Sequence, residues 1–351
     1  MKKLLTPIFS FLVLSINAQL FSDNFDSYPV GQYLGPQSLT WSTWSGSEGG
    51  AEDVQITNNN ASSAPNAIYF SSTSANGGPQ DVVLKFGQLY TSGIFTLQNK
   101  FYINAGKTGY YNIQGALTIG NLWALNVNMD AGQLIIDDGN TPNLVVASYP
   151  EATWFELKIE ANLTLHVWKA YINGGLVGTW INGVNTVASA DFFPVQNTQM
   201  YVDDVQFDHV PFTVPALDAM VADIDMGAEL ATQSGTPTVK IVNGGSTAIT
   251  SMKVDLSYNG STTTQTVTGI NIPTAGIYTV SMPSTVLVAG SLPVTALVYE
   301  VNGGAGDNTP TNDMLSEQIN PVVPAPGKMV VGEEATGTWC QWCPRGAVFM
   351  D

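Results

Sequence analysis

The chain has 351 residues, with 28 acidic side chains against 11 basic ones, a formal charge of −17, and only two histidines and two cysteines. A surface this acidic repels phosphate backbones and anionic lipid heads, which argues against nucleic acid and membrane-surface binding. Charged residues make up only 11 % while Gly reaches 34, and long Glu/Lys/Leu helical patterns are missing, so the expected class is mainly β in two or more domains.

In chain order, Lys2 and Lys3 precede an apolar run, Leu4 to Ile16, broken only by Thr6, Pro7, Ser10 and Ser15. With Asn17-Ala18 before a plausible cut at Gln19, residues 1–18 read as a signal peptide. The run is shorter than the roughly 20 residues that span a bilayer. No cysteine follows it to carry a lipid, and no later segment reaches spanning length without Gly, Asn or charge. The mature chain is expected to be exported, extracellular or associated with the outer membrane or cell surface, and not membrane-spanning.

Residues 20–212 form one expected sandwich. Val82–Phe86, Phe95–Ile103 and Leu122–Met129 are apolar segments between turn clusters. In Trp154–Glu160, Phe155, Leu157 and Ile159 alternate with Glu156, Lys158 and Glu160, the period-two pattern of a half-buried strand. Leu163–Trp168 is read as a further strand. Asn173-Gly174 between two β runs marks a hairpin, since both turn positions tolerate positive φ. The strings Trp154–Ile159 and Ala170–Val177, with the opening Phe21–Tyr28 and the closing Tyr201–Phe207, resemble concanavalin-like or laminin-G-like jelly rolls. That resemblance implies pairing of the first and last strands.

Residues 213–323 follow a linker, Val210–Pro215. They carry β runs at Thr238–Gly245, Met252–Gly260, Gly276–Val280, Leu292–Tyr299 and Leu315–Ile319, spaced as in a seven-strand Ig-like sandwich. Val239–Gly245 with Gly306-Asp307-Asn308 and Asn312-Asp313 resembles bacterial cell-adhesion-related Ig-like modules, which implies a spacer.

Residues 324–351 begin in a Pro-rich linker, and Lys328–Ala335 reads as a strand running into a loop. Trp339-Cys340-Gln341-Trp342-Cys343-Pro344-Arg345 then holds both cysteines and the sole arginine. A Cys-x-x-Cys pair closes too short a loop to stabilise much by chain entropy, which favours redox chemistry over a staple. An inert disulfide and half of a zinc site are the alternatives; zinc needs two more ligands, and His166 and His209 are distant. The string Val331–Gly346 is similar to the outer-membrane-protein-28-related family of bacterial secreted proteins. The resemblance implies an incomplete thioredoxin-like α/β domain, its first strand and helix only, whose remainder lies beyond Asp351. By it, Cys340 is the nucleophile, acidified by a helix N-terminus, and Cys343 the resolving thiol. Trp339, Trp342, Pro344 and Arg345 are its neighbours. The implied partner is a disulfide-bearing protein or redox partner.

Two further constellations lie in the first sandwich. Asp23, Asn24 and Asp26 at its start and Asp203 and Asp204 at its end are candidate oxygen ligands; Asp23, Asp26 and Asp204 are the expected set for a structural Ca²⁺, against ordinary solvation of turn residues. Alternation allows at most one of Asp203 and Asp204 to face inward. Trp41, Trp44, Trp123, Trp154, Trp168 and Trp180 serve either the core or surface glycans. The Glu-x-Asp-x-x-Glu strand of laminarinase-like jelly rolls is absent, Glu151, Glu156 and Glu160 do not reproduce it, and no Ser–His pair or phosphate loop is present. The expected function is thiol–disulfide exchange by an exported modular surface protein, with no cofactor required. The alternative is a non-catalytic adhesin or carbohydrate-binding protein that uses the jelly roll.

Overall fold

The computed structural model describes residues 20–304 and 306–324. The signal peptide, Cys340, Cys343, Trp339, Trp342, Pro344, Arg345 and the thioredoxin-like segment beyond residue 324 lie outside the described residues. Among the described residues there is no α-helix, only single 3₁₀ turns at Gly35–Gln37 and Val301–Gly303. No helix there is long and apolar enough to cross a membrane.

The first region has fifteen strands: β1 (Phe21–Asp23), β2 (Trp41–Thr43), β3 (Ile56–Thr57), β4 (Ala67–Ser72), β5 (Val82–Tyr90), β6 (Ile94–Ile103), β7 (Thr108–Gln114), β8 (Trp123–Asp130), β9 (Gln133–Asp137), β10 (Val145–Ser148), β11 (Phe155–Asn162), β12 (Val167–Ile172), β13 (Gly175–Ile181), β14 (Val187–Phe192) and β15 (Thr198–Val210). They make the two layers of a jelly-roll-like sandwich. One layer runs β13-β12-β11-β6-β15, with β4 and then β1 following one another along the far edge of β15 and β3 on β4. The other runs β2-β5-β14-β7-β8-β9-β10. A single bridge, Thr198 to Thr108, joins the layers.

Alternation explains the packing. Along β11, Phe155, Leu157 and Ile159 are buried while Glu156, Lys158 and Glu160 are half-exposed. The inward residues of both layers meet in one aromatic core, with Phe101, Tyr111 and Phe192 stacked at 5.5 Å steps. The hairpin between β12 and β13 forms as expected, with Asn173 at φ 49° and Gly174 at φ 79°. The first strand pairs with the last, Phe21 opposite Phe207 and Asp23 opposite Val205. One expectation is corrected: Leu163–His166 is a turn, not part of a strand. The Asn162 side chain accepts from the Thr164 and Leu165 amides, and Leu163 and Leu165 are both buried, so the alternating pattern of the sequence arises from a tight turn folded onto apolar neighbours.

The second region has β16 (Ala219–Asp225), β17 (Ser234–Gly235), β18 (Thr238–Asn243), β19 (Ile249–Tyr258), β20 (Ser261–Ile272), β21 (Ile277–Ser281), β22 (Thr285–Val286), β23 (Leu292–Tyr299) and β24 (Met314–Ile319). Sheets β16-β18-β21 and β20-β19-β23-β24 enclose a second core, with Ile241, Val254 and Ala296 fully buried; β17 and β22 form a separate ribbon. A third, smaller cluster spans the two regions: Leu165 and Val167 of the first meet Met220, Ala222 and Val242 of the second.

Because each region has its own core, damage to one core should be felt mainly there. Phe192→Ala removes a fully buried ring and should cost about 3–5 kcal/mol. Calorimetry should show the unfolding of the first sandwich shifted down and that of the second retained.

Candidate functional site

The candidate site lies on the outer side of the layer β2-β5-β14-β7-β8-β9. Register places Ser42 beside Val83, Val83 beside Asp191, Asp191 beside Asn112, Asn112 beside Asn126, and Asn126 beside Asp137. Their chain neighbours Leu84, Ala190, Ile113, Leu125 and Ile136 all belong to the core, so this row points away from it. An outward row would normally be wet. Instead Asp191 is 3 % exposed, Asn112 2 %, Ser189 4 % and Gln114 0 %.

The loops that shade this row come from residues 44–53 and 115–122. Trp44 donates its amide to the Asp81 carbonyl and Asp81 to that of Glu52, which hangs the first loop on the start of β5. The second loop is held where the Gly120 amide donates to Gln114 Oε1 at 3.0 Å. Gly120 has φ 81°, and a Cβ there would sit 2.9 Å from the Trp44 ring, so this position requires glycine. Trp44 and Trp123 lean together at 6.2 Å; Trp44 is half-buried and Trp123 is 37 % exposed.

Side chains of the row form a hydrogen-bonded ladder. Gln114 Nε2 donates to Asn112 Oδ1, and Asn112 Nδ2 donates to Asp191 Oδ2 at 2.7 Å. Next along the row, Tyr110 donates its hydroxyl to Asn126 Oδ1 at 2.8 Å and Asn126 donates to Asp137 Oδ1 at 2.7 Å. Burial raises the Tyr110 phenol above its ordinary range. Ser189 Oγ is buried with no partner among the described residues.

Asp81 and Asp191 are the electrostatic centre. Burial pushes both carboxyls above the ordinary carboxylate range; the negative charge of Asp191, its hydrogen bond and Glu52 push Asp81 further, whereas hydrogen bonds from Asp81 and Asn112 pull Asp191 back. Burial and the neighbouring Asp191 charge thus favour the protonated form of Asp81. Two carboxyls in hydrogen-bond contact stand closer than the roughly 5–9.5 Å that glycosidases set between theirs. The pair is not spaced as the two carboxylates of a glycosidase. The row is a run of planar donors and acceptors buried beside the Trp44 and Trp123 rings.

The six tryptophans among the described residues divide evenly. Trp41, Trp168 and Trp180 are core residues, with indole N–H groups donated to Asp23, Asn185 and Asn182. Trp44, Trp123 and Trp154 reach the surface. Trp154 ends a ladder on the other layer, where Tyr69, Tyr201 and Tyr102 lie opposite one another on β4, β15 and β6. These rings are tilted at 37° to 82° to each other and present no common plane.

The expected calcium ligands are occupied by protein donors. Asp23 accepts from the Phe25 amide, the Tyr28 hydroxyl and the Trp41 indole. Asp26 accepts from the Asn66 amide and the Asn24 side chain. Asp204, at φ 47° in a bulge of β15, accepts from Ser63 and pairs with Lys100 at 3.8 Å. Asp203 is fully buried and accepts from the Ser62 and Ser63 amides; since its neighbour Val202 is the core residue, Asp203 lies on the outer face and is covered by the loop that carries Ser62 and Ser63.

Carboxylates converge elsewhere. Asp218, Asp307 and Asp313, in the second sandwich, each offer an oxygen within 4.8 Å of the others and could hold a metal ion. Burial first, then the neighbouring carboxylates, push Asp218 and Asp313 up to about 6. Sequence reading touched Asp307 and Asp313 only as module signatures. Asp218, some ninety residues earlier, carried no signal.

A scan of protein-family models and a search of curated proteins each find no match. Solved structures similar to the chain include cellulose induced protein Cip1, at 13 % identity over 55 % of this chain and 98 % of that one, with a TM-score of 0.38. Carbohydrate-binding module CBM66 from Bacillus subtilis is similar at 12 % identity over 48 % of this chain and 95 % of that one, TM-score 0.33. The CARDB domain of a Pyrococcus furiosus protein, in complex with di-metal ions, is similar at 17 % identity over 33 % and 95 %, TM-score 0.26. Scores this low carry no argument about ligand or activity.

The carboxyl pair makes a pH prediction with a definite sign. Asp81 holds its proton more tightly folded than unfolded, so its contribution to stability is full below about pH 4, the unfolded value, and declines as pH rises toward its raised folded value. Asp81→Asn removes that decline. The gap in melting temperature between variant and wild type should therefore move in favour of the variant from pH 4 upward, measured by calorimetry across pH.

Proposed function

We propose that this is an exported surface protein whose first sandwich binds a neutral glycan at the Trp44/Trp123 rings that cover the Asp191 row, with the second sandwich serving as an Ig-like spacer. The observation that carries the reading is the outward row of amide and carboxyl side chains, buried on a face that would otherwise be solvated. Sugars offer dense hydroxyl groups that both donate and accept, which planar Asn, Gln and Asp side chains match, and ring faces stack on indoles. The formal charge of −17 disfavours acidic polysaccharides, so a neutral chain is the assigned class.

Affinity electrophoresis of the purified protein in gels containing neutral β- and α-linked polysaccharides tests this. At least one should retard it, and Trp44→Ala and Asn112→Ala should each weaken retention about tenfold, the loss of one stacked ring or charge-assisted hydrogen bond. No retardation by any neutral polysaccharide, or retardation unchanged in both variants, overturns the reading.

A second reading rests on the sequence Trp339-Cys340-Gln341-Trp342-Cys343. We infer that the same chain carries a redox dithiol, with Cys340 attacking a partner disulfide and Cys343 resolving the mixed disulfide. Cys340→Ser should abolish reduction of a disulfide substrate by the full-length protein in a turnover assay, and undiminished turnover would rule this out.

A further inference from the structure

The second sandwich opens with Asp218, immediately before β16, and closes through the loop that carries Asp307, Asn312 and Asp313 into β24. Backbone bonds hold the loop against the opening strand: the Asn308 amide donates to the Leu217 carbonyl at 2.9 Å and the Val221 amide to that of Asn312 at 3.1 Å. The Val298 amide donates to the Asp313 carbonyl at 2.9 Å, fixing the last residue of the loop against β23. Side chains add the Leu217 amide on Asn308 Oδ1 and the Ala219 amide on Asp307 Oδ2, at 2.8 and 2.7 Å. The carboxylate positions are thus set by the backbone.

The backbone satisfies Asp307, whose two oxygens take the Ala219 and Thr309 amides at 2.7 and 2.9 Å, but it does not satisfy Asp218 or Asp313. Asp218 is 2 % exposed, its Oδ1 is buried without a hydrogen-bond partner, and its Oδ2 takes the Asn312 side-chain amide at 3.3 Å. Asn312 Oδ1 and Asp313 Oδ1 are likewise buried and without a hydrogen-bond donor. Three orphan acceptor oxygens in one place leave the desolvation cost of each uncompensated. Among the described residues the ion pairs engage Asp204, Glu160, Asp223 and Glu300, and none reaches this group. Beside it, Gly244 leaves the space that Asp218 fills, since a Cβ there would meet Asp218 Oδ2 at 2.2 Å. A lysine or arginine is not supplied; oxygens alone are.

We propose that Asp218, Asp307, Asp313 and the Asn312 side-chain oxygen bind one Ca²⁺, which fastens the first strand of the second sandwich to its closing loop. Four protein ligands, all oxygen and with no imidazole or thiolate, select a hard cation. Calcium takes six to eight oxygens at flexible angles and completes its shell with water, whereas Mg²⁺ demands near-ideal octahedral geometry that a set drawn from two separate chain segments does not provide. The site also lies at the junction between the regions. Asp218 is two residues before Met220, which packs on Leu165 and Val167 of the jelly roll, so a bound ion stiffens the strand on which the two sandwiches rest. This proposal is independent of the glycan reading.

Isothermal titration of the chelator-treated full chain with CaCl₂ tests it, together with thermal unfolding in CaCl₂ and in EDTA at neutral pH. One Ca²⁺ per chain should bind at the principal site, and the second transition should rise in calcium, because a ligand bound only to the folded state stabilises it by mass action. Asp313→Asn, which keeps the side-chain shape, should weaken binding by tenfold or more with its melting temperature in EDTA at or above that of wild type. Asp26→Asn, in the other acidic group, should bind as wild type. No binding at millimolar calcium, or unchanged affinity in Asp313→Asn, overturns the site, and an equal shift from Mg²⁺ overturns the choice of ion. Should Asp218→Asn fail to fold, the Asp313→Asn result decides.

Discussion

Each strand of the jelly roll must give one face to the core, and the period of two leaves no freedom over which residues remain on the other. That constraint generates the site. Once Leu84, Ala190, Ile113, Leu125 and Ile136 turn inward, Asp191, Asn112, Asn126 and Asp137 must share the outer face in one row. Loops from residues 44–53 and 115–122 then remove the row from water. Polar groups so buried need partners, and the ladder from Gln114 through Asn112 to Asp191, with Asp81 beside it, is the chain's own partial answer. A ligand with many hydroxyls would complete it.

The fold was legible wherever its signal is local. The alternation in Phe155–Glu160 and the Asn173-Gly174 turn each need only a few neighbouring residues, and both are where the pattern placed them. Leu163–His166 misled because a buried tight turn can alternate apolar and polar residues as a strand does. The split among tryptophans was half legible: burying an indole is favourable at any layer, and only the loop paths separate Trp44 from Trp41.

The candidate site was not legible because none of it is local. Asp81 meets Asp191 across 110 positions, and the row that joins Ser42 to Asp137 depends on the register of six strands. The acidic residues show the same limit. Asp23, Asp26 and Asp204 do sit near the paired first and last strands, yet backbone amides and the Tyr28, Ser63 and Trp41 donors already occupy them. Asp218, Asp307 and Asp313 converge with only Asp307 held by backbone amides, and Asp218 and Asp313 each keep a buried oxygen without a donor. Spacing reveals carboxylates; only three-dimensional accounting of donors reveals which are left wanting.

The central claim is that a neutral glycan binds on the outer face over β14 and β7. Hydrogen–deuterium exchange of the full chain, with and without a saturating neutral oligosaccharide, tests it most directly. The account predicts added protection in residues 44–53, 115–122 and 187–192, the loops and strand of the site. Protection confined to the opposite layer around Tyr69 and Tyr201, or no change in any peptide with every oligosaccharide tried, would contradict it.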